Sequence, residues 1–168
     1  MNYAKIKYNS VGNFVGISVS LYCSGCPFRC KGCFQPETWN PKYGQPFTEQ
    51  VKDEMFNELK KAYYDNLVLL GGEPLASYNV ETMTKISKDF KEKFPNKTLI
   101  LFTGNVFENV KNYEILKYVD YLIDGQFKEE LYSPKLNWRG SSNQRIIDVQ
   151  ESLKQNKVVL ATEYYEVS

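Results

Sequence analysis

Three short apolar runs each end in a glycine-bearing turn, and helical patterns separate them; few folds accept that rhythm. Leu67-Val68-Leu69-Leu70 runs into Gly71-Gly72-Glu73-Pro74, Thr98 to Phe102 into Thr103-Gly104-Asn105, and Val119 to Asp124 into Gly125. Runs this short and this apolar are what strands buried on both faces require. Between them, Val51, Met55, Leu59 and Ala62 follow a capping Thr48 at helical spacing, and Val80, Met83, Phe90 and Phe94 do the same ahead of Pro95. Glu108 to Tyr118 and Ile146 to Lys154 read as further helices, and Val158 to Ala161 as a last strand. Alternating strands and helices pair in parallel through right-handed crossovers, so the expected class is α/β, mostly parallel with the helices outside. Before this repeat, Lys5 to Leu21 reads as two β-stretches around the turn Asn9 to Asn13, with Ile17, Val19 and Leu21 alternating. Residues 34–47 hold Pro36, Pro41, Gly44 and Pro46 and read as a long ordered loop. A length of 168 residues suits one domain, 1–168.

The chemistry is concentrated in residues 23–33, Cys23-Ser-Gly-Cys26-Pro-Phe-Arg-Cys30-Lys-Gly-Cys33, which hold all four cysteines of a chain without histidine. Cys26, Cys30 and Cys33 have C-x3-C-x2-C spacing, so one loop can offer three thiolates to three corners of a small iron-sulfur cube and leave the fourth iron open. Cys23 closes the apolar stretch from Val15 and reads as a small hydrophobe ending a strand. Alternatives stay open on the residues alone. All four cysteines can be taken as ligands of a structural zinc or of a fully ligated electron-transfer cluster, and a disulfide or buried pair is the plainest reading. A zinc ribbon draws its two cysteine pairs from separated knuckles, which this chain lacks.

Lys and Arg number 21 against 20 Asp and Glu, which gives no general attraction to nucleic acid or to an anionic membrane. No apolar run is long enough to span a bilayer, and the first residues do not resemble a signal peptide, so the cytoplasm is the expected location. In parallel α/β sheets ligands gather at the carboxyl ends of strands. Those ends carry the segments 26–33, 71–74, 103–105 and 124–126, which are expected to share one edge.

The cysteine loop at the end of a first strand, with Gly71-Gly-Glu-Pro74 after the second, resembles the radical S-adenosylmethionine superfamily. Cys30-Lys-Gly-Cys-Phe34 with Thr38-Trp39, the turn Gly71 to Leu75, Asp124-Gly125 and the segment Trp138-Arg-Gly-Ser-Ser-Asn-Gln-Arg-Ile-Ile-Asp148 narrow the likeness to the activating proteins of anaerobic ribonucleoside-triphosphate reductases. The resemblance covers nearly the whole chain. It implies a partial (β/α) barrel, a 4Fe-4S cluster on Cys26, Cys30 and Cys33, and S-adenosylmethionine chelating the fourth iron. It further implies reductive cleavage to a 5'-deoxyadenosyl radical, which takes hydrogen from a glycine of the large subunit of anaerobic ribonucleotide reductase. An unidentified, flavodoxin-like one-electron donor is implied as a second partner. Gly32 and Phe34, flanking Cys33, are implied around the adenine, Gly71 and Gly72 beside the methionine end, Glu73 as acceptor for the methionine ammonium, and Asp124 as a polar contact. The rivals are another small radical S-adenosylmethionine enzyme, such as a different glycyl-radical activase or a 7-carboxy-7-deazaguanine synthase, and a non-catalytic electron carrier.

Two features depart from the pattern: Asn105 stands where an aromatic residue is expected, and Cys23 is an extra thiol. Of only three arginines, Arg139 and Arg145 lie in the Trp138 to Arg145 segment and Arg29 in the cysteine loop. Arginine among so many lysines points to planar, multidentate hydrogen bonding, and the segment is expected to close over the site or contact the large subunit.

Overall fold

The computed structural model describes residues 1–165. Its strands are β1 (Asn2–Ser10), β2 (Ser18–Cys23), β3 (Gln45–Pro46), β4 (Asn66–Gly71), β5 (Thr98–Phe102), β6 (Tyr121–Asp124) and β7 (Arg145–Asp148), and its helices α1 (Glu49–Leu59), α2 (Val80–Lys93), α3 (Phe107–Val110) and α4 (Val149–Gln155). One sheet joins the strands in the order β3-β1-β2-β4-β5-β6-β7.

This corrects the expected mostly parallel barrel with helices outside. Parallel pairing is confined to the centre, where β2, β4, β5 and β6 run together. Both flanks are antiparallel, β3 with β1 and β1 with β2 on one side, β6 with β7 on the other. The result is an open mixed sheet with few helices. The physical reason lies in the connections. The link from Ser10 to Ser18 is too short for a crossover, so β1 and β2 can only form a hairpin. Between β6 and β7 the chain makes no helix beyond one short 3-10 turn (Glu129–Leu131), and β7 therefore returns antiparallel.

Local expectations divide the same way. Thr48 caps α1, its Oγ1 accepting from the Val51 N–H at 3.2 Å. Ala62, expected on the face of this helix, lies beyond its end and is exposed. The helix expected over Glu108 to Tyr118 divides into α3 and a 3-10 turn, Glu114–Lys117. Ile146 and Ile147, expected to be helical, lie in β7, and α4 starts only after Asp148, whose Oδ1 accepts from the Glu151 N–H at 3.1 Å. The strand expected at Val158 to Ala161 amounts to one bridge between Leu160 and Ile147.

The larger core lies under the helices. Val19, Leu21, Leu67, Leu69, Leu99 and Leu101 pack there against Met55, Leu59, Met83 and Phe90. On the opposite face Val68, Ile100, Ile123 and Ile146 form a smaller cluster with Phe14 and Ala161, and Trp138, Tyr164 and Tyr165 pack over it. Among the described residues no helix is long and apolar enough to cross a membrane.

Candidate iron-sulfur site

The parallel centre of the sheet brings its strand ends together around a cavity of about 380 Å³. Cys26, Cys30 and Cys33 line it, together with Gly71, Gly72, Glu73, Thr103, Gly104 and Gly125. Four segments far apart in sequence thus share one site, as the topology requires. The cysteine loop is tied down at its start: the Gly25 N–H donates to Thr38 O at 2.6 Å and the Cys26 N–H to Trp39 O at 3.1 Å. Arg29 and Gly32 adopt left-handed backbone (φ 50° and 75°), which turns the short loop back on itself. Burial pushes the Cys26 and Cys30 thiols up, opposed by hydrogen bonds from the backbone of Phe28 and Arg29 at Cys26 and of Phe127 at Cys30. The Gln35 N–H donates to Cys33 Sγ at 3.4 Å.

Cys23 is elsewhere. It is 0% exposed, belongs to the core under the helices, and burial raises its thiol far above the ordinary range. It does not line the cavity.

The glycines of the turn after β4 are required by the protein's own backbone. A Cβ on Gly71, which has φ 111°, would stand 2.6 Å from Cys23 N, and one on Gly72 2.4 Å from Gly25 O. The Gly72 N–H also donates to Cys23 O and the Glu73 N–H to Gly25 O, both at 2.8 Å. Glu73 is almost wholly buried, and burial raises its carboxyl pKa. Its Oε1 accepts from Thr103 Oγ1 (2.7 Å) and the Leu75 N–H (3.0 Å), and its Oε2 from the Gly104 N–H (2.7 Å). A carboxylate has about four lone-pair sites, so one acceptor position on Oε2 stays free.

Other expected residues are placed differently. Asp124 is buried off the cavity wall. It accepts from the Phe107 N–H at 2.8 Å and from Arg145 through Nε at 3.0 Å and a terminal nitrogen at 2.5 Å, while Arg145 also holds Glu108. Gly32 lies off the wall too, its hydrogen facing the Glu129 side chain. Phe34 lines the cavity but is 67% exposed, with ring centroids 5.1 Å from Phe127 and 5.8 Å from Tyr132. The aromatic residue missing at Asn105 is answered by Phe28 of the cysteine loop, whose ring lies so close over Gly104 that a Cβ there would meet it at 2.6 Å. The Trp138 to Arg145 segment forms part of the cavity wall through Gly140 and Gln144. The Gln144 amide accepts from the Gly140 and Ser141 N–H groups and donates to Gly125 O at 2.9 Å. Arg139 stacks on Tyr165, 4.3 Å from the ring centroid.

The donor set fits a multi-iron group better than a single ion. Among the described residues no three His, Cys, Asp or Glu side chains come close enough to hold one metal ion. Three thiols opening onto one cavity suit the separated, soft iron corners of a cluster. Residues 13–147 match the family model of the 4Fe-4S single cluster domain. An anaerobic ribonucleoside-triphosphate reductase-activating protein of Enterobacteria phage T4 is 42% identical over 146 residues, 87% of this chain and 93% of that protein. The chain belongs to the family of anaerobic ribonucleoside-triphosphate reductase-activating proteins. Family members from Escherichia coli (strain K12) and Haemophilus influenzae are 33% and 35% identical, over 86% and 87% of this chain and 96% and 97% of their own length.

Within this activating-protein chain the sequence reading overlooked Asn13, Tyr22 and Gln35, all on the cavity wall. Asn13 Nδ2 donates to Ser20 Oγ (3.0 Å) and Tyr22 Oη (3.1 Å). A signal for this cluster was present: Ser18, Ser20 and Tyr22 alternate with Val19, Leu21 and Cys23, so β2 has one polar face.

Proposed function

We propose that this chain activates an anaerobic ribonucleotide reductase by installing a glycyl radical on the reductase's large subunit. Cys26, Cys30 and Cys33 would hold a 4Fe-4S cluster, with S-adenosylmethionine bound beside it in the same cavity. When bound and reduced by a flavodoxin-like one-electron donor, the cluster and S-adenosylmethionine would supply a 5'-deoxyadenosyl radical, with methionine as coproduct, for hydrogen abstraction from the glycine Cα. The protein's own groups bind and orient. The free acceptor position of Glu73 receives the methionine ammonium, and Thr103 and the Gly104 N–H hold that carboxylate in place. Asp124 acts through Arg145 and Phe107, fixing the turn whose Gly125 lines the cavity. Phe34, Phe127 and Phe28 form apolar walls that limit water around a reactive radical.

One observation carries this reading. The three loop thiols open onto the cavity beside the Gly71 to Glu73 turn, while Cys23 is sealed on the other face of the sheet. An electron carrier with four cysteine ligands needs Cys23 at the cluster and loses its support there. The test is anaerobic reconstitution with iron and sulfide, reduction, and incubation with S-adenosylmethionine and the large subunit. A glycyl-radical signal in electron paramagnetic resonance is expected, with one methionine formed per radical; a reduced cluster that neither binds nor cleaves S-adenosylmethionine overturns the reading.

A further inference from the structure

The segment from Asn137 to Ile146 walls the cavity through Gly140 and Gln144, yet it contains no helix and joins the sheet only at Arg145. Its second residue, Trp138, has φ 58°. A bulky residue keeps such left-handed backbone only where its surroundings hold it. One residue, Tyr165, grips this segment at three points. At its start Asn137 Nδ2 donates to Tyr165 O at 3.3 Å. In the middle the Arg139 guanidinium lies 4.3 Å from the Tyr165 ring centroid. At its end the Ile146 N–H donates to Tyr165 Oη at 2.7 Å.

From Tyr165 the contacts lead inward to the cavity. Arg139 donates through a terminal nitrogen to Gln144 O at 3.1 Å, while its Nε is buried with no hydrogen-bond partner among the described residues. The guanidinium is thus held by one carbonyl and one ring face, and a cation over an aromatic face is held more firmly where water is kept away. Gln144 carries the connection onto the wall, accepting from the Gly140 and Ser141 N–H groups and donating to Gly125 O. Gly140 in turn lies under the aromatic mouth: a Cβ there would meet Phe127 at 2.9 Å and Phe34 at 3.4 Å. Tyr165 itself does not line the cavity.

Resting on the function proposed above, we propose that Tyr165 is a positioning residue that fixes the cavity wall through Arg139 and Gln144 and so keeps S-adenosylmethionine cleavage coupled to hydrogen abstraction from the glycine. A wall that gives way admits water and misplaces the reacting groups, and a misplacement of about 1 Å can cost about a hundredfold in rate. The 5'-deoxyadenosyl radical then takes its hydrogen atom from a nearby protein C–H bond instead, which is left with the unpaired electron. S-adenosylmethionine is consumed and no glycyl radical forms.

Hydrogen exchange of the cluster-loaded chain reads the clamp, and the ratio of 5'-deoxyadenosine to glycyl radical reads its consequence. Tyr165→Ala is expected to speed amide exchange at Gly140, Ser141 and Ile146 by about tenfold, with iron content unchanged. Its 5'-deoxyadenosine per glycyl radical is expected to rise by about fivefold. Tyr165→Phe keeps the ring beside Arg139 and loses only the Oη acceptor, so it is expected to speed exchange at Ile146 alone and to hold the ratio. Arg139→Lys keeps the charge without the planar fork and is expected to raise the ratio as Tyr165→Ala does. Leu153→Ala truncates a side chain packed on the core under the helices and is expected to lower stability without moving either readout. Unchanged exchange at Gly140 and Ser141 in both Tyr165→Ala and Arg139→Lys overturns the clamp. Faster exchange with an unchanged ratio overturns the positioning role, as does an equal rise of the ratio in Leu153→Ala. If the unaltered chain forms no glycyl radical, the functional reading falls and the positioning role with it, while exchange still decides whether Tyr165 holds the segment.

Discussion

Strand β2 shows two kinds of surface on one piece of chain. Val19, Leu21 and Cys23 face the helices and are wholly buried among leucines and aromatic rings. Ser18, Ser20 and Tyr22 face the other way, almost as deeply buried, and are held by Asn66, Asn13 and one another's neighbours through hydrogen bonds. The first face contributes the hydrophobic stabilisation of burial; the second contributes little net stability, because buried hydroxyls exchange water partners for protein ones. On β2, then, one face is given to the core and the other to the polar wall of the site, and this alternation sets Cys23 apart from the loop thiols that follow the strand. Cys23 falls on the side of the fold and the loop thiols on the side of the site.

The sharpest way to break that division is to remove the cysteines one at a time. Cys26→Ala, Cys30→Ala and Cys33→Ala are each expected to lose the normal four-iron cluster, measured by iron content and visible absorption after anaerobic reconstitution. Cys23→Ala is expected to keep it and to cost about 1 kcal/mol in chemical denaturation, as a small core truncation does. A cluster lost with Cys23 and kept without one of the other three would reverse the assignment. A smaller effect is expected where the two faces touch. In Gly72→Ala the new methyl stands 2.4 Å from Gly25 O, so the backbone that starts the cysteine loop must shift. Destabilisation of about 1–3 kcal/mol is expected, with weaker iron retention; unchanged stability would mean that the turn yields freely.

The smallest effect belongs to the rim. The hydrogen bonds of Arg145 hold the Glu108 carboxyl below the usual carboxylate range. A lowered folded pKa stabilises the protein above the unfolded value, about 4.3 for glutamate, and that contribution is lost as pH falls through the folded value. Glu108→Gln should thus be slightly less stable than the unaltered chain at neutral pH, by on the order of a few tenths of a kcal/mol for a half-exposed, screened pair. The two should converge in acid. A gap that persists under acid would assign the loss to packing.

The centre of the sheet and the loop thiols were legible in the sequence because each has a local signature. Thr98 to Phe102 is a strand in both readings, and Thr48 caps the helix expected after it. The β7 flank was not legible, because pairing direction depends on what a connection can span and not on the composition of the strand. Ile146 and Ile147 illustrate this. Apolar periodicity continues from them into α4, and only the capping Asp148 marks where the strand ends and the helix begins. The site residues that escaped notice, Asn13 and Gln35 among them, are neutral amides in loops, a residue type that loops use everywhere. Asp124 is expected from the resemblance to contact the ligand, and its bond to Arg145, far away in sequence, is a tertiary contact that no local pattern signals.

The ring of Phe28 over Gly104 has a consequence for the order in which the protein matures. The cysteine loop leans on a turn made much later in the chain, and its first residue is also held by Thr38 and Glu73. During synthesis the thiols emerge early, with only the nearby Thr38 and Trp39 to hold the start of their loop, and the contact of Phe28 with Gly104 becomes available only once β5 has been added to the sheet. Metal delivery to a nascent chain would meet a floppy tripod of thiols, whereas delivery after release would meet a finished cradle.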